Sequence, residues 1–133
     1  MRVDRDDKKT QVFCVVHTRE LCNQVCAVYE KLTKGTGITL SNFAENDKDP
    51  GQIVVTTHGK ADKVTSGRKT IDLSHLKCFV IDEADLFFAD DKNFETLMKV
   101  YNSKPVTEMK DKFQWVLFSA TFPIGLEEQE DKV

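Results

Sequence analysis

Cys-Phe-Val-Ile-Asp-Glu-Ala-Asp, residues 78–85, is the stretch from which the fold can be read. Four apolar residues run directly into adjacent carboxylates at Asp82 and Glu83, and Asp85 follows two positions later. A short continuous apolar run is typical of a strand that is buried on both faces of a parallel sheet. Acidic residues at the end of such a strand lie at its carboxyl edge, where open α/β sheets bind their ligands. The pattern therefore indicates a buried strand that ends in an acidic site.

Carboxylates at this position suit the binding of a nucleoside triphosphate. Mg²⁺ is usually held by one or two carboxylates together with substrate phosphates and several waters. The second of two adjacent acids can orient or deprotonate the water that attacks a γ-phosphate. An alternative interpretation is a buried strand followed by a helix that uses Asp82 as its N-cap, with the other acids near the positive helix end.

Composition limits the class of protein. The chain has 133 residues, enough for one domain with a sizeable core, and it is 40% hydrophobic and 31% charged, unlike disordered or membrane proteins. The charged amino terminus and the absence of a long apolar run predict an intracellular protein, in the nucleus, the cytoplasm or both, with no membrane partner. A net charge of −3 argues against binding nucleic acid by bulk electrostatics, but it leaves room for local contacts to a few phosphates.

The cysteines and histidines do not have the spacing of a zinc site. The sequence has four cysteines, at positions 14, 22, 26 and 78, with no Cys-x-x-Cys pair, and three dispersed histidines. We expect reduced, mostly buried thiols.

Strands alternate with helices along the chain. Apolar runs predict strands at 11–16, 38–43, 53–56, 78–81 and 114–118, all buried except the weaker second one. Helical spacing predicts helices at 19–33, with Thr18 as N-cap, at 93–101, and in a short segment ending near 66. The stretch 104–112 is predicted to be a polar connection with solvated charges. This order predicts an α/β fold, a mostly parallel β-sheet with helices on both faces.

In such a sheet, several strand ends meet at one edge. His17, Thr57, Asp82 and Ser119 each follow a predicted buried strand. Separate helix caps would not require polar motifs at all of these ends. We therefore expect one functional surface along the carboxyl edge.

These strand-end motifs resemble those of the DEAD-box ATP-dependent RNA helicases, in the first of their two RecA-like lobes. Asp-Glu-Ala-Asp at 82–85 matches the name-giving motif, and Ser-Ala-Thr at 119–121 matches the motif that follows it. Thr-Arg-Glu-Leu at 18–21 looks like the Pro-Thr-Arg-Glu-Leu element, and Thr-His-Gly-Lys at 57–60 looks like Thr-Pro-Gly-Arg. The resemblance covers about residues 11–123. Within the family, Leu-Phe-Ser-Ala-Thr-Phe at 117–122 looks like the messenger-RNA export type.

The resemblance implies ATP and Mg²⁺ as cofactors and a role for each acidic residue. Asp82 is implied to hold the magnesium ion through water, and Glu83 to act on the attacking water. Asp85 is implied to tie this site to Ser119 and Thr121, coupling ATP binding to closure against a second RecA-like lobe. Loop capping remains an alternative role for Ser119 and Thr121.

The resemblance also implies an RNA surface. Thr18, Arg19, Thr57, Gly59 and Lys60 would contact the sugar-phosphate backbone of a single RNA strand without reading its bases. The other interpretation of Arg19 and Lys60 is an ordinary solvated charge. Positive charge at a helix start is mildly unfavourable, which favours an anionic partner there.

The sequence departs from the family at several positions. His17 and His58 replace prolines, and Lys60 replaces an arginine. No Gly-x₄-Gly-Lys-Ser/Thr phosphate-binding loop occurs in the sequence, and Gly-Arg-Lys-Thr at 67–70 only mimics its end. We expect the chain to hydrolyse little ATP alone.

Two explanations of these departures follow. The chain is either a piece of a longer helicase, with a missing amino-terminal part of lobe one, a second lobe and regulatory protein partners, or a short non-catalytic module that binds RNA or protein. The intact acids and the Ser-Ala-Thr motif favour the first. On that basis we divide the chain into a charged segment (1–10), a partial RecA-like lobe (11–124) and an acidic tail or linker start (125–133).

Overall fold

The computed structural model describes residues 2–67 and 70–121. This part contains a sheet of five parallel strands in the order β2-β3-β1-β4-β5. The strands are β1 (Val12–Val16), β2 (Leu40–Asn42), β3 (Ile53–Thr57), β4 (Cys78–Ile81) and β5 (Gln114–Leu117). The helices are α1 (Arg19–Thr33), α2 (His58–Ser66), α3 (Ala84–Phe88), α4 (Asp91–Tyr101) and α5 (Lys104–Thr107). The predicted α/β class with a parallel sheet is confirmed.

The apolar runs of the three central strands are buried because helices cover both faces of the sheet. Alternate residues of a strand point to opposite faces. Phe13, Val15 and Phe79 belong to the core on the side of α2, α3, α4 and α5. Cys14 and Val80 belong to the core on the side of α1. The prediction of helices on both faces is therefore confirmed.

Helix α1 begins and ends where the sequence predicts. The hydroxyl of Thr18 accepts a hydrogen bond from the amide of Leu21 (3.2 Å), which makes Thr18 the N-cap. Cys22 and Cys26 lie on its buried face. All four cysteines of the chain are free and buried, as expected.

The last strand differs from its prediction. Residues 114–118 were expected to form a buried strand, but β5 is the edge strand and is exposed at Gln114 and Leu117. The side chain of Phe118 follows the strand and is 56% exposed. The reason is positional: among the described residues β5 pairs with β4 alone, so one of its edges has no neighbouring strand.

The region around the third predicted helix also differs. Helix α4 begins at Asp91, earlier than predicted, because the Asp90 carboxylate accepts from the amide of Asn93 (2.9 Å) and caps it. Helix α5 is not predicted, and α3 corresponds only to the helix that the alternative interpretation of residues 78–85 places after β4. The stretch 104–112 is exposed at its charges but buries Val106 completely, so it is not merely a solvated connection.

The charged segment before β1 packs against the amino end of the sheet. The side-chain amide of the buried Gln11 donates to the carbonyls of Asp4 and Asp7 (2.8 Å each), and that of the buried Gln52 donates to the same two carbonyls (2.8 Å each). This segment therefore lies opposite the strand-end motifs. The predicted tail, 125–133, lies outside the described residues. Within the described residues, no helix has the length and apolar character needed to cross a membrane.

Candidate functional site

The register of the sheet brings the polar motifs together. Val16 is aligned with Thr57, Val15 with Ile81, and Ile81 with Leu117. The residues that follow these positions therefore emerge side by side at the carboxyl edge of the sheet. The prediction that four strand ends share one edge is confirmed.

The turn after β4 holds Glu83 in a strained conformation. Its φ and ψ of 54° and 51° are left-handed, and no other non-glycine residue in the described part has positive φ. The Asp82 carboxylate accepts from the amide of Glu83 (2.9 Å), while the amide of Asp82 donates to the carbonyl of Val15 (3.1 Å). Such strain costs on the order of 1–3 kcal/mol and concentrates at functional sites. The N-cap interpretation of Asp82 is wrong, because the N-cap position of α3 is occupied by Glu83.

Asp82 suits a hydrated magnesium ion better than a metal site formed by protein ligands alone. In residues 2–67 and 70–121, no group of three or more His, Cys, Asp or Glu side chains could hold a metal. One oxygen of the half-buried Asp82 carboxylate accepts from the backbone, and the other has no hydrogen-bond partner in the described part. A single carboxylate fits an ion whose remaining ligands are phosphates and waters. That ion would neutralise phosphate charge.

A second turn, after β5, is hydrogen-bonded to the first. The hydroxyl of Thr121 donates to the Asp85 carboxylate (2.7 Å). The hydroxyl of Ser119 accepts from the amide of Asp85 (3.3 Å) and donates to the carbonyl of Thr121 (2.5 Å). The hydrogen bond from Thr121 lowers the pKa of the Asp85 carboxyl below its ordinary value, so this residue stays ionised. The two contacts with Asp85 join two strand ends, and the contact between Ser119 and Thr121 also closes the turn after β5.

The first predicted RNA element lies at the start of α1. Thr18 is the N-cap, and the exposed Arg19 follows it. The Arg19 guanidinium donates to the carbonyl of Ala44 (3.1 Å) and lies 3.8 Å from the carboxylate of Glu45.

The second predicted RNA element lies at the start of α2. Thr57 is the N-cap residue, but its side chain makes no capping hydrogen bond. A Cβ atom added to Gly59 would meet nothing within 4 Å, so the protein leaves the space beside this backbone open. The Lys60 ammonium lies 2.8 Å from the Asp47 carboxylate. Both predicted cations thus have acidic partners, which sequence reasoning missed.

The two histidines that replace prolines form an unpredicted pair. Their rings are stacked, with centroids 5.5 Å apart and planes 23° apart, and both contact Phe87 edge-on. His17 Nε2 lies 2.9 Å from the side-chain amide of Asn93, and His58 Nδ1 is buried without a partner in the described part. The sequence held only part of the signal: each histidine directly follows a predicted strand, but that these two strands are neighbours is known only from the order of the sheet.

Acid is expected to destabilise the fold through His58. Burial, and then the charge of His17, lower the pKa of His58 below its ordinary value near 6.5. As pH falls through 6.5, His58 takes up a proton in the unfolded chain before it does so in the folded chain. The free energy of unfolding therefore decreases until the pH falls below the pKa of His58 in the folded chain. The melting temperature should fall between about pH 7.5 and about pH 5.5. The fall should be smaller in His58→Gln, and an equal fall in both proteins would contradict this assignment.

Comparisons with known proteins agree with these motifs. The DEAD/DEAH box helicase family model matches residues 1–129. The chain is 35% identical to DEAD-box ATP-dependent RNA helicase 38 of Arabidopsis thaliana over 91% of its own length and 26% of the relative. It is 34% identical to ATP-dependent RNA helicase DBP5 of Mycosarcoma maydis over 94% of its length and 27% of the relative. It therefore spans about a quarter of these curated relatives.

Solved structures of the DBP5 helicase also match this chain. S. cerevisiae Dbp5 bound to RNA and ADP BeF3 matches with a TM-score of 0.79 and 30% identity, over 98% of this chain and 33% of that one. A Dbp5 variant bound to Nup159, a Gle1 variant, IP6 and ADP matches with a TM-score of 0.78 and 29% identity, over 98% and 34%.

Proposed function

Since this chain belongs to the DEAD/DEAH box helicase family, we propose that it works as part of an ATP-dependent RNA helicase. In this function, RNA-stimulated ATP hydrolysis drives local separation of RNA duplexes or removal of bound protein. The observation that carries the proposal is the hydrogen-bonded link from Asp85 to Ser119 and Thr121. It joins the acidic turn after β4 to the turn after β5. Such a link is needed if the nucleotide bound at the acidic turn is to control closure against a second RecA-like lobe.

The acidic turn forms one half of the nucleotide site. Asp82 would hold Mg²⁺ through water, and that ion would supply positive charge to the phosphates. Glu83, whose backbone after β4 is left-handed, would orient or deprotonate the attacking water. The sequence has no Gly-x₄-Gly-Lys-Ser/Thr loop to bind the phosphates. Because phosphoryl transfer depends on positioning and charge stabilisation, this chain alone is inactive. The proposed activity requires a phosphate-binding loop and a second RecA-like lobe in addition to the residues described here.

The RNA surface lies at the same edge of the sheet. Thr18, Arg19, Thr57, Gly59 and Lys60 contact the backbone of one RNA strand. Three observations support this surface: two helices begin there, the space beside Gly59 is open, and the Thr57 hydroxyl makes no capping bond. Amides at helix starts and a nearby glycine suit a phosphate.

The relatives support a proposal about the biological setting. We propose a messenger-RNA export or remodelling role, in the nucleus, the cytoplasm or both. Relatives called DBP5 support this role, as does the solved Dbp5 complex that contains Nup159 and Gle1. Regulatory proteins are accordingly proposed partners.

RNA binding by this chain is expected to depend on Arg19 and Lys60. Arg19→Ala and Lys60→Ala should each weaken binding of a fluorescein-labelled oligouridylate, measured by anisotropy. Each change should lower the slope of log affinity against log salt by about one, because one phosphate contact is lost. Lys31→Ala, at an exposed position in the last turn of α1, is the matched control.

Binding that ignores both changes would rule out the proposed surface. RNA binding with no ATP turnover, even when the remaining helicase segments are supplied, would favour a non-catalytic binding module. The observation behind this second candidate is the absence of the phosphate-binding loop from the sequence.

A further inference from the structure

One loop contacts both basic side chains of the proposed RNA surface. We call residues 45–49, Glu-Asn-Asp-Lys-Asp, the acidic loop. The Arg19 guanidinium lies 3.8 Å from the Glu45 carboxylate, and the Lys60 ammonium lies 2.8 Å from that of Asp47. These cations are 41 positions apart in the sequence and stand at the starts of different helices, yet they are paired with acids only two positions apart.

The acidic loop is anchored to the carboxyl edge of the sheet. It follows β2, which pairs in parallel with β3, so it leaves the sheet at the same edge as the RNA elements. At its start, the amide of Glu45 donates to the carbonyl of Asn42 (3.2 Å). At its end, the hydroxyl of Ser41 donates to the carbonyl of Asp49 (2.7 Å). These contacts fix the loop beside the two cations.

We propose that Glu45 and Asp47 compete with RNA phosphates for Arg19 and Lys60, and that the acidic loop thereby sets the affinity of this surface for RNA. The inference rests on the proposed function and specifies how its RNA surface is regulated. Carboxylate and phosphate oxygens accept charge-assisted hydrogen bonds from the same donors. RNA binding is therefore an exchange of partners.

The chemistry of the pairs determines which ligands can displace the loop. Exposed ion pairs are weak, and both pairs are at least partly exposed. The attraction of Lys60 for Asp47 is also seen in the pKa of the Asp47 carboxyl, which Lys60 lowers below its ordinary value. When one phosphate of a polyanion binds the first cation, the covalently linked phosphates are held at high effective concentration near the second, so the affinity rises. A single small anion displaces one carboxylate from one cation and has no such increase in affinity. The loop thus favours nucleic acid over free phosphate.

The test neutralises the loop and measures RNA affinity. Glu45→Gln with Asp47→Asn should tighten binding of a fluorescein-labelled oligouridylate by about threefold to tenfold at low salt, because each exposed pair contributes little. The gain should shrink as salt rises, since salt screens the competing carboxylates. Asp49→Asn is the matched control: it removes the same charge from the same loop, but its side chain has no partner in the described residues.

Combining the changes separates this inference from the proposed function. With Arg19→Ala and Lys60→Ala also present, neutralising the loop should give no gain. If the chain binds RNA through these two cations but the neutralised loop tightens binding no more than Asp49→Asn does, the inference is overturned and the RNA surface stands. If removal of the two cations changes no affinity in any variant, both proposals fail. Melting curves of each variant confirm that the compared proteins are folded.

Discussion

Glutamine in place of Glu83 is expected to abolish ATP turnover in the complete helicase while leaving ATP binding intact. Glutamine keeps the size of the side chain and one acceptor oxygen, but it cannot accept a proton from the attacking water. Loss of a positioned general base typically lowers the rate by about 10²- to 10⁴-fold. RNA-stimulated phosphate release measures turnover, and titration with a fluorescent ATP analogue in Mg²⁺ measures binding. Unchanged turnover would exclude the hydrolytic role of Glu83.

The backbone of Glu83 supplies a control for this experiment. Glutamine and glutamate meet the same steric penalty at φ 54°, so Glu83→Gln should not change the melting temperature. Glycine adopts positive φ without that penalty, although it loses more chain entropy on folding. Glu83→Gly should therefore keep or raise the melting temperature while turnover is lost equally. A variant that lost turnover only by unfolding would melt lower.

The fold could be predicted to the extent that it depends on local pattern. Continuous apolar runs identified β1, β3 and β4, because a strand buried on both faces has no polar alternation. Thr18 identified the start of α1, because its hydroxyl bonds to an amide in the next turn. Parallel topology then placed the motif residues at one edge.

The remaining features depend on contacts between distant parts of the chain. The acidic loop connects β2 to β3 and there contacts Arg19 and Lys60. No sequence pattern near either cation indicates that this loop lies beside it. The stacking of His17 on His58 likewise requires the strand order. The left-handed turn at Glu83 contradicts local preference, as functional turns often do.

The exposure of β5 is another feature that the sequence did not predict, because residues 78–81 and 114–118 are similar apolar runs. An apolar run predicts a strand but not its place in the sheet. Phe79 is fully buried in the central strand β4, and its ring packs 4.5 Å from that of Trp115 and 5.4 Å from that of Phe13, measured between centroids. Phe118, beyond the edge strand, is 56% exposed. The same residue type therefore stands in two environments that the sequence does not distinguish.

Phe79→Ala is accordingly expected to lower the free energy of unfolding of this chain by about 3–5 kcal/mol, and Phe118→Ala to change it by less than about 0.5 kcal/mol. The first opens a cavity among packed rings, whereas the second removes a side chain that is already largely in water. Urea unfolding followed by the fluorescence of Trp115, the one tryptophan of the sequence, measures both changes. If Phe79→Ala does not fold, Phe79→Leu should still be less stable than Phe118→Leu. Equal losses at the two positions would mean that the Phe118 side chain is buried in solution, which would contradict its exposed position after β5.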